Sequence, residues 1–352
     1  MAGMYDASAT VANVNVSVAR SAPKSATAVA YAVATKGAVA RQLGLNRAAL
    51  EANNFEGKVG QSLAVPSAEG VVYAIGVGDP DSIGITAVRR AAADFARATA
   101  KHAEIAINLA DLSHLDAKEA GQAVVEGVLL GSYRYVGLKG DESIGSKLVS
   151  ATVIAGDKRA KVVQQGVERG VTVGVAAAFA RELANTPPSY LNAKDIAAIA
   201  VALADDAGLE VEVFNKDQLL AMGCGGMIGV NAGSTEPPRM VKLTYVPRNV
   251  PKNAKVAHLA MVGKGVMYDS GGISLKPSNP SHVAMKMDMS GAAAVLSAMS
   301  ALKALKCKTK VSAWLMCTDN MPSGSALKLG DVLTMRNGKT VEIHNTDAEG
   351  RL

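Results

Sequence analysis

The chain has 352 residues, of which 49% are hydrophobic and 19% are charged. This composition excludes a disordered chain, and the length exceeds that of one ordinary core, so two domains are expected. The formal net charge of +6 is a mild excess for this length. Lysines and arginines form no block and no stripe interleaved with aromatic residues, so nucleic acid is not indicated as a partner.

Apolar stretches, targeting signals and cysteines indicate the cellular compartment of a protein. The longest apolar stretch, residues 172–180, is far shorter than the roughly 20 residues that span a bilayer. The N-terminus shows no basic segment followed by an apolar run, so no signal peptide is expected. Cys224, Cys307 and Cys317 show no CxxC spacing and are interpreted as small buried thiols in a reducing compartment. We therefore predict a cytoplasmic protein that does not associate with membranes.

The first part of the chain alternates between predicted strands and helices. Continuous apolar runs predict strands, and apolar residues at helical spacing predict helices. In chain order these are strand 71–78, helix 88–100, strand 104–111, helix 117–135 and strand 150–157. Such alternation predicts an α/β layer with parallel pairing, and we assign residues 1–163 to an N-terminal α/β domain.

A long helical pattern at residues 164–184 ends before Pro187 and Pro188, which cannot continue a helix. It predicts a long helix that links two domains. Beyond it, one helix and four apolar strands indicate a second α/β domain, residues 185–352. The helix is predicted at 194–208, and the strands at 209–214, 239–247, 257–265 and 310–317.

The segment NTDAEGRL (345–352) places Asp347, Glu349 and Arg351 two residues apart. In an extended backbone this spacing points all three side chains to the same side. Two carboxylates and a guanidinium on one face suit a site for a cation and an anion. A solvated surface strand with alternating charge is the other interpretation.

Two earlier segments also carry ionisable groups. In VGKGVMYDSGGISLKP (262–277), Lys264 and Asp269 are predicted at the end of an apolar strand, where ligand sites gather in open α/β sheets. Glycines on both sides of Lys264 are expected to let the backbone bend sharply, and Lys276 follows in a glycine-rich loop. In MKMDMSGAAAV (285–295), Asp288 precedes an Ala-rich helix, where helix capping would also explain an acid.

These acids supply hard oxygen ligands, which suit divalent metals, and paired metal ions need shared carboxylates. A lysine can join such a site only as the neutral amine, which burial beside a dication favours. Competing motifs are incomplete. The histidines form no HExxH, GVGDPD (76–81) lacks the third glycine of a dinucleotide loop, and GDESIGSK (140–147) has Ser and Lys in the wrong order for a phosphate loop. A nucleotide-binding α/β protein is therefore a weak alternative.

In this order, the three charged segments resemble the signature blocks of the leucyl aminopeptidase (cytosol aminopeptidase) family. The resemblance extends backward through residues 320–344, 229–245, 181–192 and 126–135, whereas roughly the first hundred residues match only loosely. Met267–Tyr268 stands where the family commonly has Thr-Phe, and Leu329 replaces a usual proline. Because the family's catalytic domain continues beyond NTDAEGRL, we expect a C-terminally truncated member.

The resemblance implies that five side chains bind two divalent ions, Mn²⁺ or Zn²⁺: Lys264, Asp269, Asp288, Asp347 and Glu349. Asp269 and Glu349 would bridge the ions. Lys264 and Asp288 would bind one ion, and Asp347 would bind the other. The assignment of Asp288 depends on the MKMDM match rather than on spacing.

By the same resemblance, Lys276 and Arg351 are the catalytic pair, and bicarbonate held by Arg351 is the general base. The implied activity is a two-metal aminopeptidase that releases N-terminal, leucine-like residues from peptides by attack of a metal-bridging hydroxide. The implied architecture is an N-terminal α/β domain joined by a long helix to an α/β catalytic domain, assembled as a homo-hexamer. An inactive truncated fragment or a binding module of the same family is the alternative.

Overall fold

The computed structural model describes residues 11–68, 70–108, 112, 114–140, 145–248 and 256–351. Outside this part lie the first ten residues, 109–111 of a predicted strand, 141–144 of the segment resembling a phosphate loop, and Leu352. The chain divides into two compact units, Met1–Ala178 and Phe179–Leu352. Each unit combines a β-sheet with helices, so the predicted α/β class is confirmed. Among the described residues, none of the helices has the length and apolar character needed to cross a bilayer.

In the first unit, six strands of the described chain form one sheet. They are β1 (Asn15–Ala19), β2 (Ala28–Ala34), β3 (Ser62–Ser67), β4 (Gly70–Gly78), β5 (Glu104–Asn108) and β6 (Ser150–Ile154). Their order is β1-β6-β5-β2-β4-β3, and every pair is parallel except β3 with β4. The predicted parallel pairing is confirmed.

The helices that begin in this unit are α1 (Arg47–Ala52), α2 (Ile85–Ala98), α3 (Ala117–Ser132) and α4 (Ala160–Asn185), with 3₁₀ turns at Arg41–Leu43 and Pro80–Ser82. Helices α2 and α3 pack closely because glycines face the neighbouring backbone. A Cβ on Gly127 would lie 2.3 Å from Arg89 O. The buried Glu126 carboxylate accepts a hydrogen bond from Arg89 Nε at 2.6 Å, which neutralises it in this contact.

The second unit contains a four-stranded sheet within the described residues. Its strands are β7 (Leu209–Phe214), β8 (Arg239–Tyr245), β9 (His258–Asp269) and β10 (Lys310–Asn320), in the order β7-β8-β10-β9. Strands β9 and β10 are parallel, and the other pairs are antiparallel. Strands β11 (Val332–Thr334) and β12 (Thr340–Glu342) form a separate antiparallel pair.

The remaining helices are α5 (Ala193–Ala207), α6 (Lys216–Ala221), α7 (Gly225–Asn231), α8 (Pro280–Val283) and α9 (Ser290–Ala301), with 3₁₀ turns at Ala284–Met287 and Glu349–Arg351. Helix α5 begins with a capping box in which Asn192 and Asp195 each accept a hydrogen bond from the other's backbone N–H. Helix α9 packs against β9 and β10, and α5 packs against β7, β8 and α9. This arrangement places the start of α9 beside the middle of β9.

Candidate metal centre

One open cleft of about 340 Å³ in the second unit brings together all the predicted site residues. Lys264, Asp269, Lys276, Asp288, Asp347, Glu349 and Arg351 line it together with Met285, Ala348 and Gly350. The residues come from β9, from the loop that follows β9, from the turn before α9 and from the last described segment. Segments that are far apart in the sequence therefore meet at one place.

Strand β9 supplies Lys264 and Asp269, but the expected bend at Lys264 is wrong. Gly263, Lys264 and Gly265 pair regularly with consecutive residues of β10. The glycines instead permit close packing. A Cβ on Gly263 would lie 2.6 Å from Ala292 Cα, and one on Gly291 would lie 2.9 Å from Lys264 N. Because no side chain intervenes, α9 approaches the backbone of β9.

Asp288 occupies the turn between a 3₁₀ segment and α9, and helix capping does not account for it. Met289 is the N-cap residue of α9, and its side chain makes no capping hydrogen bond. The Asp288 carboxylate instead lies 2.7 Å from Lys264 Nζ, measured to Oδ2. Burial raises the pKa of Asp288, and the charges of Asp269 and Glu349 act in the same direction against the opposing effect of Lys264.

The last described segment is not extended, so the conformation predicted for it is wrong. Residues 346–348 form a bend and a turn, and Glu349–Arg351 is a 3₁₀ helix. The carboxylates nevertheless converge. One oxygen each from Asp269, Asp347 and Glu349 lie within 4.8 Å of one another. The alternative of a solvated surface strand does not fit, because Glu349 is only 6% exposed.

Each site lysine joins two acids. Lys264 Nζ lies 2.6 Å from Glu349 Oε1, and Lys276 Nζ lies 3.0 Å from Asp269 Oδ2 and also pairs with Asp347. Burial alone would lower the pKa of both lysines. The hydrogen bonds and negative charges of their acidic partners outweigh burial and raise both pKa values above the ordinary lysine value. In the metal-free chain, both groups are ammonium ions.

Two neutral residues that the sequence patterns did not mark also belong to this site. Asn320 ends β10 opposite Asp269 and donates a hydrogen bond to that carboxylate at 2.9 Å. Thr346 precedes Asp347 and donates from Oγ1 to Gly271 O at 2.6 Å. Both residues fall in stretches that resemble the family. The resemblance was the only sequence signal that could have drawn attention to them.

The donor set fits divalent metal ions. Glu349 Oε2 is buried and has no hydrogen-bond partner within the part of the chain that the structure describes. An orphaned carboxylate oxygen is costly unless something satisfies it, and the cleft holds more carboxylates than lysines. A nearby dication would satisfy Glu349. Its positive charge would also lower the pKa of Lys264 and favour the neutral amine, which is the form in which a lysine can bind a metal ion.

Fold and site together define an α/β protein with a carboxylate-rich candidate site for divalent metals. Comparison with known families identifies it further. Residues 16–142 match the N-terminal domain of the cytosol aminopeptidase family, and residues 178–352 match that family's catalytic domain. The chain belongs to the cytosol aminopeptidase family, which confirms the resemblance found in its sequence.

Individual relatives agree with this assignment. A probable cytosol aminopeptidase of Streptomyces avermitilis is 43% identical over 323 residues, which cover 87% of this chain and 61% of that protein. One from Mycobacterium leprae is 40% identical over 335 residues, covering 94% of this chain and 63% of that protein. The chain thus spans less than two thirds of the length of these relatives.

Solved structures share the fold. The bottromycin maturation enzyme BotP in complex with Mn has a TM-score of 0.80 and 37% identity, over 93% of this chain and 67% of that one. A mutant of tomato leucine aminopeptidase has a TM-score of 0.80 and 25% identity, over 96% of this chain and 69% of that one. Both likenesses extend over nearly the whole chain.

Proposed function

We propose that this chain carries the metal centre of a metal-dependent aminopeptidase. The observation that carries the proposal is the convergence of the Asp269, Asp347 and Glu349 carboxylates, one of which has an unpartnered oxygen, in a cleft lined by two lysines. Relatives described as probable cytosol aminopeptidases support the reaction, and the Mn complex of BotP supports the choice of metal.

The proposed ligands of two ions, Mn²⁺ or Zn²⁺, are Lys264, Asp269, Asp288, Asp347 and Glu349. Lys264 contacts Asp288 and Glu349 on one side of the cleft, whereas Lys276 contacts Asp269 and Asp347 on the other. Asp269 and Glu349 are the most buried of the four acids and also have oxygens close to each other. That central position supports their assignment as the bridging ligands.

Bound divalent ions would supply Lewis acidity and a nucleophile at neutral pH. The chain's own groups would do the rest. In the metal-free chain the acidic partners of Lys276 raise its pKa, and as an ammonium ion this lysine would donate hydrogen bonds to a developing oxyanion. Arg351 is exposed at the cleft, where its fork of N–H donors suits bicarbonate, the proposed general base.

The family also suggests substrates and assembly. We infer that the substrates are peptides with a free N-terminus, with preference for leucine-like residues. A homo-hexamer and a cytoplasmic location are further inferences from the family.

Hydrolysis of leucine p-nitroanilide by the 352-residue chain tests the proposal. Chelator-treated protein should be inactive and should recover activity with Mn²⁺ or Zn²⁺. N-acetyl-leucine p-nitroanilide should not be hydrolysed, because its α-amine is blocked. Metal binding without hydrolysis would favour the binding module, and failure to bind either metal would refute both functions.

A matched pair of variants tests whether the metal ions bind in the cleft. Glu349→Gln removes the charge of the buried carboxylate with the orphaned oxygen and should abolish tight metal binding. Glu342→Gln makes the same chemical change at an exposed position beside His344 and should leave metal binding unchanged. Equal metal binding by both variants would contradict the placement of the site.

A further inference from the structure

We propose that Asn320 is a positioning residue of the metal centre. Its side chain holds two segments that carry proposed ligands in place relative to each other. The inference rests on the proposed function, because the group that Asn320 positions is the proposed set of ligands. Asn320 is the last residue of β10 and is only 4% exposed. It carries no charge and lies behind the carboxylates rather than among the groups that line the cleft.

The amide nitrogen of Asn320 serves two segments at once. Its Nδ2 lies 2.9 Å from Asp269 Oδ1 and 3.0 Å from the backbone oxygen of Thr346. A side-chain amide has two N–H groups, so one donor is available for each acceptor. Asp269 belongs to β9, and Thr346 directly precedes the segment that carries Asp347 and Glu349. One amide therefore connects the segments that supply the three converging carboxylates.

The first contact orients Asp269. Its Oδ1 accepts hydrogen bonds from Gly271 N at 2.9 Å and from Asn320 Nδ2 at 2.9 Å. Its Oδ2 faces Lys276 Nζ at 3.0 Å. With Oδ1 held on the inner side, rotation of the carboxylate is restricted and Oδ2 stays available in the cleft. Such outer hydrogen bonds orient ligands at metal sites generally.

The second contact fixes the backbone beside Asp347. Thr346 is buried, and its Oγ1 donates to Gly271 O at 2.6 Å and accepts from Ser274 N at 2.8 Å. Its backbone N–H donates to Ser274 Oγ at 3.2 Å, and its oxygen accepts from Asn320. Every polar group of Thr346 is thus engaged. Asn320 supplies the bond that ties this segment to β10.

Asn320 is itself held firmly. Its backbone oxygen accepts hydrogen bonds from Ser270 N at 3.0 Å and from Ser270 Oγ at 2.7 Å. Gly272 leaves room for the amide, because a Cβ there would lie 2.8 Å from Asn320 Oδ1. Gly272 also has a φ of 65°, which a side chain would disfavour. The position of the Asn320 amide is therefore fixed by the end of β10 and does not change with the carboxylates around it.

Three variants test the role. Asn320→Ala removes both donors. Asn320→Asp keeps the shape but places an oxygen where Nδ2 faces two acceptors. Asn231→Ala is the matched control, because Asn231 lies in the same unit, is 1% exposed and donates from Nδ2 to Glu236 O at 2.9 Å. Calorimetric titration of each metal-free protein with Mn²⁺, after circular dichroism confirms folding, gives the dissociation constants.

We expect Asn320→Ala to weaken Mn²⁺ binding about 10- to 100-fold, the usual effect of losing an outer hydrogen bond at a metal site. Asn320→Asp should weaken it at least as much, and Asn231→Ala should bind like the unchanged chain. Affinity within twofold of the control for Asn320→Asp would show that the side chain only fills space, and would overturn the proposal. Should Asn320→Ala not fold, the isosteric Asp variant decides. Failure of the unchanged chain to bind Mn²⁺ would instead refute the proposed function, and the positioning role with it.

Discussion

The close contact between β9 and α9 makes Gly263→Ala a strong test of how the site is assembled. A Cβ at this position would lie 2.6 Å from Ala292 Cα, 2.7 Å from Gly291 O and 2.8 Å from Ala292 N. All three are backbone atoms, so no side-chain rotation relieves the clash. The start of α9 must move away from β9. Because Asp288 lies two residues before α9, it should move away from Lys264 as well.

Overpacking of a well-packed interior typically costs about 1–3 kcal/mol. Three backbone contacts below 3 Å place Gly263→Ala in the upper part of that range, so we expect a loss of about 2–3 kcal/mol. For a unit of this size, that corresponds to a fall in Tm of roughly 4–12 °C. Thermal unfolding followed by circular dichroism measures it. Titration with Mn²⁺ should also show weaker binding, since the Asp288 ligand is displaced.

Gly324→Ala is the matched control for this change. A Cβ on Gly324 would meet no atom within 4 Å, and its φ lies outside the left-handed region. The control should be unchanged or up to about 1 kcal/mol more stable, because alanine reduces the entropy of the unfolded chain. If the two variants unfolded within about 2 °C of each other, the close packing of α9 on β9 would be refuted.

Three further outcomes are expected. Lys276→Ala should retain bound metal but lower kcat by roughly a hundredfold or more, as when an oxyanion donor is lost; full turnover at normal metal content would contradict that role. Burial raises the pKa of Cys317 to about 12. A thiol reagent at pH 8 should therefore label only Cys224 and Cys307 until denaturant is added. Rapid labelling of all three cysteines in the native protein would contradict the burial of Cys317. Asn192→Ala removes the capping box of α5 and should cost about 1 kcal/mol in urea unfolding, whereas an unchanged midpoint would show that the cap adds nothing.

Much of the fold was predictable because its central strands are continuous apolar runs. Strands β4, β7 and β10 were each predicted to within a few residues of their ends. Three strands of the first unit were missed for identifiable reasons. The sequence of β2, AVAYAVA, is rich in alanine, which favours helices as readily as strands. Strand β3 contains Pro66 at the edge of the sheet, and β1 has no buried residue.

Ionisable residues of the site were also predictable, whereas their conformations were not. Lys264 was expected at a sharp bend because glycines flank it, yet those glycines serve the approach of α9. The period of two in Asp347, Glu349 and Arg351 suggested an extended strand, but the segment turns and ends in a 3₁₀ helix. In both cases a local pattern had several possible structures. Packing against distant segments decided between them.

Asn320 shows why part of the site lay beyond reach of the sequence alone. Charge marks a residue as a candidate for chemistry wherever it stands, but a neutral amide acquires a role only from its neighbours. Those neighbours, Asp269 and Thr346, are 51 and 26 positions away, and only the parallel pairing of β9 with β10 brings Asn320 opposite Asp269. Asn320 in turn ties Asp269 to the segment of Asp347 through the backbone of Thr346. A shift of β10 by one position should therefore remove both hydrogen bonds together, because it turns the side chain to the other face of the sheet.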